Sequence, residues 1–159
     1  MQKYTLKRIV RILFLQVARC QMPGHLRAKF LKYGGVCIPN HENVSIGEGV
    51  IIDRLHPEDL TIGHHVRITM NCIILTHYFD VSKTIAFKRG KVNIGNYVFM
   101  GAGAIICNSV KIGDYAVIVA GAVVTKDIPP YEVWVGSPAR FLKIRPGYEK
   151  QHKECMRNK

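Results

Sequence analysis

An all-β solenoid of triangular cross-section is the fold this 159-residue chain predicts, and three observations predict it. The first is a period of six. Between Val92 and Thr125, one position is held by Ile94, Met100, Ile106, Ile112, Ile118 and Val124, and the position two earlier by Val92, Val98, Ala104, Val110, Ala116 and Ala122. A helix of period 3.6 returns neither series, and a sandwich alternates with period two and varies its loops. Short flat strands separated by tight turns do return it: three hexads close a coil, and stacked coils bury the aliphatic position as a ladder. The second observation is that Gly95, Gly101, Gly113 and the offset Gly121 fall where the turns should be. The third is that the same pattern begins earlier, at Ile46-Gly47 to Ile52, and resumes at Ile62-Gly63, Ile68 and Ile74.

The elements follow in chain order. Residues 1–32 hold eight Lys/Arg and no acid, and Ile9, Ile12, Leu13, Leu15 and Val17 alternate with Lys7, Arg8, Arg11 and Arg19. That pattern predicts a short basic amphipathic helix, an arm that packs on the body or touches an anionic membrane face. Its uninterrupted apolar run, Ile12–Leu15, is too short for a signal core or a membrane span. Residues 33–138 form the solenoid, nearly neutral with eight Lys/Arg against nine acids. Residues 139–159 form a basic extension, seven Lys/Arg against two acids, ending in a polar tail that is a helix or a fray. Five cysteines, at 20, 37, 72, 107 and 155, show no CxxC pair, so neither a disulfide framework nor a zinc knuckle is expected. A reducing, cytoplasmic setting follows, with the basic ends able to draw the chain to the inner face of a membrane.

Two violations of the period point to a site. Ile52 and Ile62 stand ten residues apart, so a four-residue excursion near Leu55-His56-Pro57-Glu58 interrupts one corner. Ile74 and Ile94 stand twenty apart, so fourteen residues, roughly 77–90, leave the prism and return. In a solenoid, insertions gather as loops on one face, often the binding face. His77 stands at the root of the longer loop on regular coil backbone, a rigid support for an acid–base group beside a cover. A neutral imidazole near pH 7 suits removal of a hydroxyl proton. Asp53 is either a turn residue or a carboxylate that fixes the His77 tautomer, and His56 in the small excursion is placed to touch an acceptor.

Other chemistries fare worse. His64-His65 suggests a metal, but adjacent strand residues point apart and no His-x-x-x-x-His series accompanies them, so no metal is expected. Cys72 and Cys107 fit core positions better than a nucleophile's place. Nucleic-acid binding needs a basic stripe with interleaved aromatics, which the neutral hexad region does not supply.

The segment "NIGNYVFMGAGAIICNSVKIGDYAVIVAGAVVTKDIPPYEVWVGSPARFLKIR" (93–145) resembles the ending of the hexapeptide-repeat acyltransferases, whose fold is a left-handed parallel β-helix. "VVTKDIPP" and "VGSPAR" are similar to that family's closing motif, and "ILTHYFD" (74–80) with its following loop resembles the catalytic segment of the galactoside, maltose and polysaccharide O-acetyltransferase branch. The likeness covers about residues 43–145. It implies acetyl-CoA as cosubstrate, a sugar or surface-polysaccharide precursor as acceptor, and a homotrimer with sites between neighbouring prisms. On it, His77 is the catalytic base, Asp53 a carboxylate assisting the histidine or binding acceptor, and Asn71 an acceptor-pocket residue. Phe99 takes the place of the family's tryptophan in the "VWIG" hexad, and Lys126 and Arg140 match basic residues near the coenzyme A phosphates, with Lys143 and Arg145 as weaker helpers. Serine acetyltransferases share the prism but resemble this chain less, because their "IDH" or "LDH" histidine is replaced by Asp53-Arg54. An antibiotic O-acetyltransferase, a non-catalytic assembly prism and a metalloenzyme on the same scaffold stay open beside the leading reading.

Overall fold

A computed structural model describes residues 6–80 and 86–157. The twelve hexad positions named above are all buried, none more than 2% exposed. They line the inside of a left-handed parallel β-helix with three faces. One face stacks strands Ser45–Ile46, Arg67–Ile68, Phe99–Met100, Val117–Ile118 and Glu132–Val135, the second Ile51–Ile52, Ile73–Ile74, Ile105–Ile106 and Val123–Val124, the third Leu60–Ile62, Val92–Ile94 and Val110–Ile112. Every pairing among these strands is parallel and in register, so Ile52, Ile74, Ile106 and Val124 form one continuous ladder.

Register measures the two excursions directly. Ile94 pairs with Ile112, eighteen residues on, which is a plain coil. Ile46 pairs with Ile68, four more than a coil, and Ile74 with Ile106, fourteen more. The shorter excursion folds as a 3-10 turn, Pro57–Asp59, with proline at its first position where a missing N–H costs nothing. The longer one is a two-stranded antiparallel hairpin, His77–Asp80 with Ala86–Arg89. Its residues 81–85, with Lys83, lie outside the described residues.

The turns differ from expectation in an instructive way. Gly95, Gly101 and Gly113 do not supply left-handed turns. A Cβ on any of them would come within 2.5 Å of an atom of the next coil, so glycine is needed there for close approach. The left-handed corner positions belong to His65, Tyr97, Tyr115 and Tyr131 on one edge, to Gly49, Asn71, Gly103 and Gly121 on another, and to Asn108 on the third. On the first edge the rings stack, Tyr97 on Tyr115 at 4.6 Å and Tyr115 on Tyr131 at 5.3 Å between centroids, which offsets the strain of a positive φ.

The N-terminal arm is two helices, not one. Helix α1 (Leu6–Val17) turns through Gln21-Met22-Pro23 into α2 (Gly24–Tyr33), because Pro23 cannot continue a helix but suits the residue before the next. Phe14 of α1 packs on Phe30 and Tyr33, and Arg27 of α2 donates to the Ile46 carbonyl at 3.2 Å, tying the arm to the first coil. At the far end, strand Arg140–Ile144 pairs antiparallel with Glu132–Val135, and the tail is helix α3 (Glu149–Arg157). His152 of α3 meets the buried Glu132, which also accepts the Trp134 indole N–H at 2.7 Å.

Candidate active site

Both excursions begin on the same prism edge, one coil apart, and this places Asp53 beside His77. The edge is written in the backbone: Asp53 N–H donates to Ile74, Leu75 N–H to Ile106, and Cys107 N–H to Val124. Asp53, 4% exposed, ends its buried strand and opens the small excursion by accepting the Leu55 N–H at 2.8 Å, an Asx turn. Its other oxygen accepts the Thr76 N–H at 3.1 Å and lies 2.8 Å from the Thr76 hydroxyl. That oxygen also takes a short hydrogen bond from Nδ1 of His77.

Burial pushes the Asp53 carboxyl up, but the bonds from Leu55, His77 and Thr76 outweigh it and hold the group below its ordinary value. It is therefore a carboxylate throughout the neutral range. A neutral imidazole that donates from Nδ1 keeps its lone pair on Nε2. The His77 side chain is 26% exposed and stacks on the Phe87 ring of the hairpin at 5.1 Å. The arrangement can act as a base through Nε2 while Nδ1 is held by Asp53.

A second contact joins the excursions. Arg89, opposite His77 in the hairpin, donates through Nε and Nη2 to the buried Asp59, the Nη2 bond being 3.0 Å, and through Nη2 to Glu58 at 3.2 Å. The Arg89 hydrogen bond holds the Asp59 carboxyl below its usual range. Arg11 of α1 stands 3.7 Å from Glu58, so helix, 3-10 turn and hairpin meet at one charged junction.

The other sequence candidates fall at three places. The His56 side chain lies 3.6 Å from Glu58, and its carbonyl is 3.0 Å from the Thr76 hydroxyl, so it borders the dyad. Asn71 is a left-handed corner residue with its amide oxygen against Gly49, on the corner before the second face rather than beside His77. Phe99 points outward from the first face between Arg67 and Val117 and lines a separate groove of about 630 Å³. Phe99 thus stands on the first face, and His77 follows the second. Lys126 continues the His77 edge two coils on, just past Val124, with its ammonium 5.2 Å from the Trp134 ring centre. Arg140 is exposed and donates to the Ala139 carbonyl at 2.9 Å. Arg145 is engaged elsewhere, donating to the Tyr97 and Tyr115 carbonyls at 3.2 and 3.0 Å and capping the tyrosine stack.

The histidine pair departs from expectation. His64 and His65 do not point apart, because His65 adopts φ 56°, and their Nδ1 atoms lie 3.0 Å from each other. No third ligand joins them among the described residues. Cys72 is buried and donates to the Gly101 carbonyl, and burial pushes its thiol and that of Cys107 up, the wrong direction for a nucleophile. Sequence reasoning missed Thr76 and the Arg89–Asp59 pair. Thr76 sat in plain view beside His77, while the Arg89 pair spans thirty residues and has no local signal.

Known proteins agree with this architecture. Residues 91–126 match the family model described as bacterial transferase hexapeptide (six repeats). A probable serine acetyltransferase 1 of Oryza sativa subsp. japonica is 39% identical over 109 residues, 67% of this chain and 35% of that protein. Across the curated relatives the matched part is between 26% and 59% of their own length. A maltose O-acetyltransferase structure from Clostridium difficile 630 superposes with TM-score 0.59 at 26% identity, covering 87% of this chain and 86% of that one. A hexapeptide-repeat acetyltransferase from Vibrio cholerae O1 biovar eltor, solved with acetyl coenzyme A, superposes with TM-score 0.66 at 20% identity, with the same coverage. Serine and sugar branches thus both stand among the relatives, and the expectation that the serine branch lies further off does not hold. By repeat, by fold and by sequence relatives, the chain is similar to the hexapeptide-repeat acyltransferases, and residues 91–126 carry that family's repeat.

Proposed function

We propose that the chain is an acetyl-CoA-dependent O-acetyltransferase in which His77 is the general base and Asp53 its positioning carboxylate. The observation that carries the reading is the Asp53–His77 hydrogen bond at the point where both breaks in the repeat converge. A sugar hydroxyl is too weak an acid to attack a thioester unless its proton leaves as the bond forms. Nε2 of His77 takes that proton while the hydroxyl oxygen bonds to the thioester carbon. Collapse of the tetrahedral intermediate breaks the carbon–sulfur bond, and the imidazolium returns the proton to the departing thiolate. The ionised Asp53 favours the imidazolium in between.

The cofactor's place follows from the edge. Lys126 stands two coils from His77 on one side, about 10 Å at the usual strand spacing. An extended thiol arm lying along the edge puts sulfur at His77 and phosphates toward Lys126 and Arg140. The Vibrio relative's bound acetyl coenzyme A and the Clostridium relative's maltose acetylation support cofactor and hydroxyl acceptor. Phe99 joins the site from a neighbouring prism in a homotrimer, and Asn71 is kept as an acceptor contact only in that assembly. A free-serine acceptor is the second reading, favoured by the rice relative.

The decisive measurement is acetyl-CoA consumption by the wild type and by His77→Ala across free sugars, nucleotide sugars, oligosaccharides and serine. Turnover of a sugar by the wild type alone is expected. Equal turnover by the variant sinks the mechanism, and turnover of serine alone replaces the acceptor class.

A further inference from the structure

We infer that the acceptor, in the O-acetyltransferase reading on which this rests, carries a phosphate or pyrophosphate group held in a cationic cleft on the side of His77 away from Lys126. The cleft, about 260 Å³, gathers Lys7, Arg8 and Arg11 from α1, Arg54 and His56 from the first excursion, and Arg89 from the hairpin. Among the described residues, Glu58 is the one carboxylate in its lining. Glu58 stands 3.7 Å from Arg11 and 3.2 Å from Arg89, and Arg89 also pairs with the buried Asp59, so two acids stand against five Lys/Arg side chains from three separate segments. Concentrating like charge in one concavity is unfavourable by itself and raises the local concentration of anions. Four of the five are arginines, whose planar forks match the oxygens of a phosphate.

Position ties the cleft to the reaction. Arg54 follows Asp53 in the chain, the His56 carbonyl lies 3.0 Å from the Thr76 hydroxyl, and Arg89 pairs across the hairpin with His77. The coil of Asp53 and Arg54 stacks on one side of the His77 coil, and the coils leading to Lys126 stack on the other. His77 therefore stands between two cationic places, and a thioester reaching it from Lys126 leaves the cleft for the other substrate. The helix that lends the cleft three cations also shows Leu6, Val10, Leu13 and Val17 to solvent, at 78, 42, 58 and 39% exposure. A phosphate on a soluble sugar and one on a lipid-linked sugar share the chemistry the cleft reads, and the assay separates them.

The first measurement is calorimetric binding of inorganic pyrophosphate to the full chain saturated with coenzyme A. Binding is expected in the wild type, weakened about tenfold by Arg54→Gln, the cost of a charge-assisted contact, and unaltered by Lys126→Gln. Pyrophosphate that binds only when coenzyme A is absent, or equally to Arg54→Gln, overturns the inference. The second measurement offers each sugar of the acceptor screen as the neutral sugar, as its 1-phosphate, and as the phosphate on a short polyprenyl chain in micelles. A phosphorylated form with a lower KM, an advantage lost in Arg54→Gln while the KM for acetyl-CoA stays, supports it. The better of the two phosphorylated forms names the source. Equal use of the neutral sugar overturns it. Pyrophosphate binding that depends on Arg54 in a protein that acetylates no hydroxyl keeps the cleft and sinks the O-acetyltransferase reading, and turnover of neutral sugars without pyrophosphate binding does the reverse.

Discussion

In the plain coils between Val92 and Thr125 every inward side chain is an aliphatic residue, methionine or alanine, and each is closed off from water. Among the described residues of the two excursions the buried side chains include carboxylates, Asp53 and Asp59 beside Pro57, and Leu55 and Phe87 stay exposed at 41% and 49%. The coils are held by apolar burial, which is large and has no direction. The excursions are held by hydrogen bonds between charged groups, which contribute little net stability but fix distances and angles. A position that must only exclude water belongs in the first region, and a position that must aim a nitrogen belongs in the second. Mutations should therefore split: changes in the coils cost stability, and changes in the excursions cost rate.

The largest effect belongs to His77→Ala. Removal of a general base lowers turnover by about 10²–10⁴-fold, and because the ring supports no part of the ladder, the melting temperature should hold. Acetyl-CoA consumption beside a thermal scan checks both. A melting temperature that falls together with the rate would dissolve the division between the two regions. Ile118→Ala is the opposite case. Ile118 is fully buried, in register between Met100 and Trp134, and its truncation leaves a cavity costing about 2–5 kcal/mol. Denaturant unfolding should show that loss, while turnover per folded molecule stays near wild type at low temperature.

The coils were legible in the sequence and the chemistry only partly so, for the same physical reason. A period of six is local, so Ile94, Met100 and Ile106 announce their ladder from spacing alone. The breaks at Ile52–Ile62 and Ile74–Ile94 were legible as breaks, and the residue at the root of the longer one, His77, is the one Asp53 holds. The Thr76 hydroxyl, the Arg89–Asp59 pair and the short separation of His64 from His65 depend on side-chain direction after the chain has left its period. No spacing encodes those. The tyrosine stack was readable in principle, since Tyr97 and Tyr115 stand one coil apart, but a left-handed φ at tyrosine breaks the rule that reserves such turns for glycine and asparagine.

Asp53→Asn comes next in size and tests direction against charge. The amide keeps the shape but not the full acceptor strength, so turnover should fall by about 10²-fold with the fold retained. Acid titration reads the same group through stability. The folded-state value of Asp53 lies below the unfolded one, so its contribution is present above the ordinary carboxylate range and is lost as pH falls through the lowered folded value. Wild type should lose stability between roughly pH 5 and pH 2 more steeply than Asp53→Asn. Parallel acid-unfolding curves for the two would remove Asp53 from the account.

Arg89→Gln should give the smallest effect and the sharpest one. Arg89 is half exposed but pairs with the buried Asp59 as well as with Glu58, so unfolding should register a modest loss from the carboxylate left without its partner. Its geometric consequence is larger than its energy, because the guanidinium pins the hairpin whose Phe87 ring lies on His77 to the 3-10 turn that follows Asp53. Loosening that pin should lower kcat by about threefold to tenfold, a near-attack effect and not an electronic one. Salt separates the two contacts. The Arg89–Glu58 bond faces water and weakens as ions screen it, whereas the Asp53–His77 bond rests on a carboxylate 4% exposed and does not. The kcat of wild type should therefore fall toward that of Arg89→Gln as ionic strength rises, with Asp53→Asn keeping a constant distance from both. If high salt instead brings wild type down to Asp53→Asn, the dyad is as exposed as the clamp, and directional burial is not what holds His77.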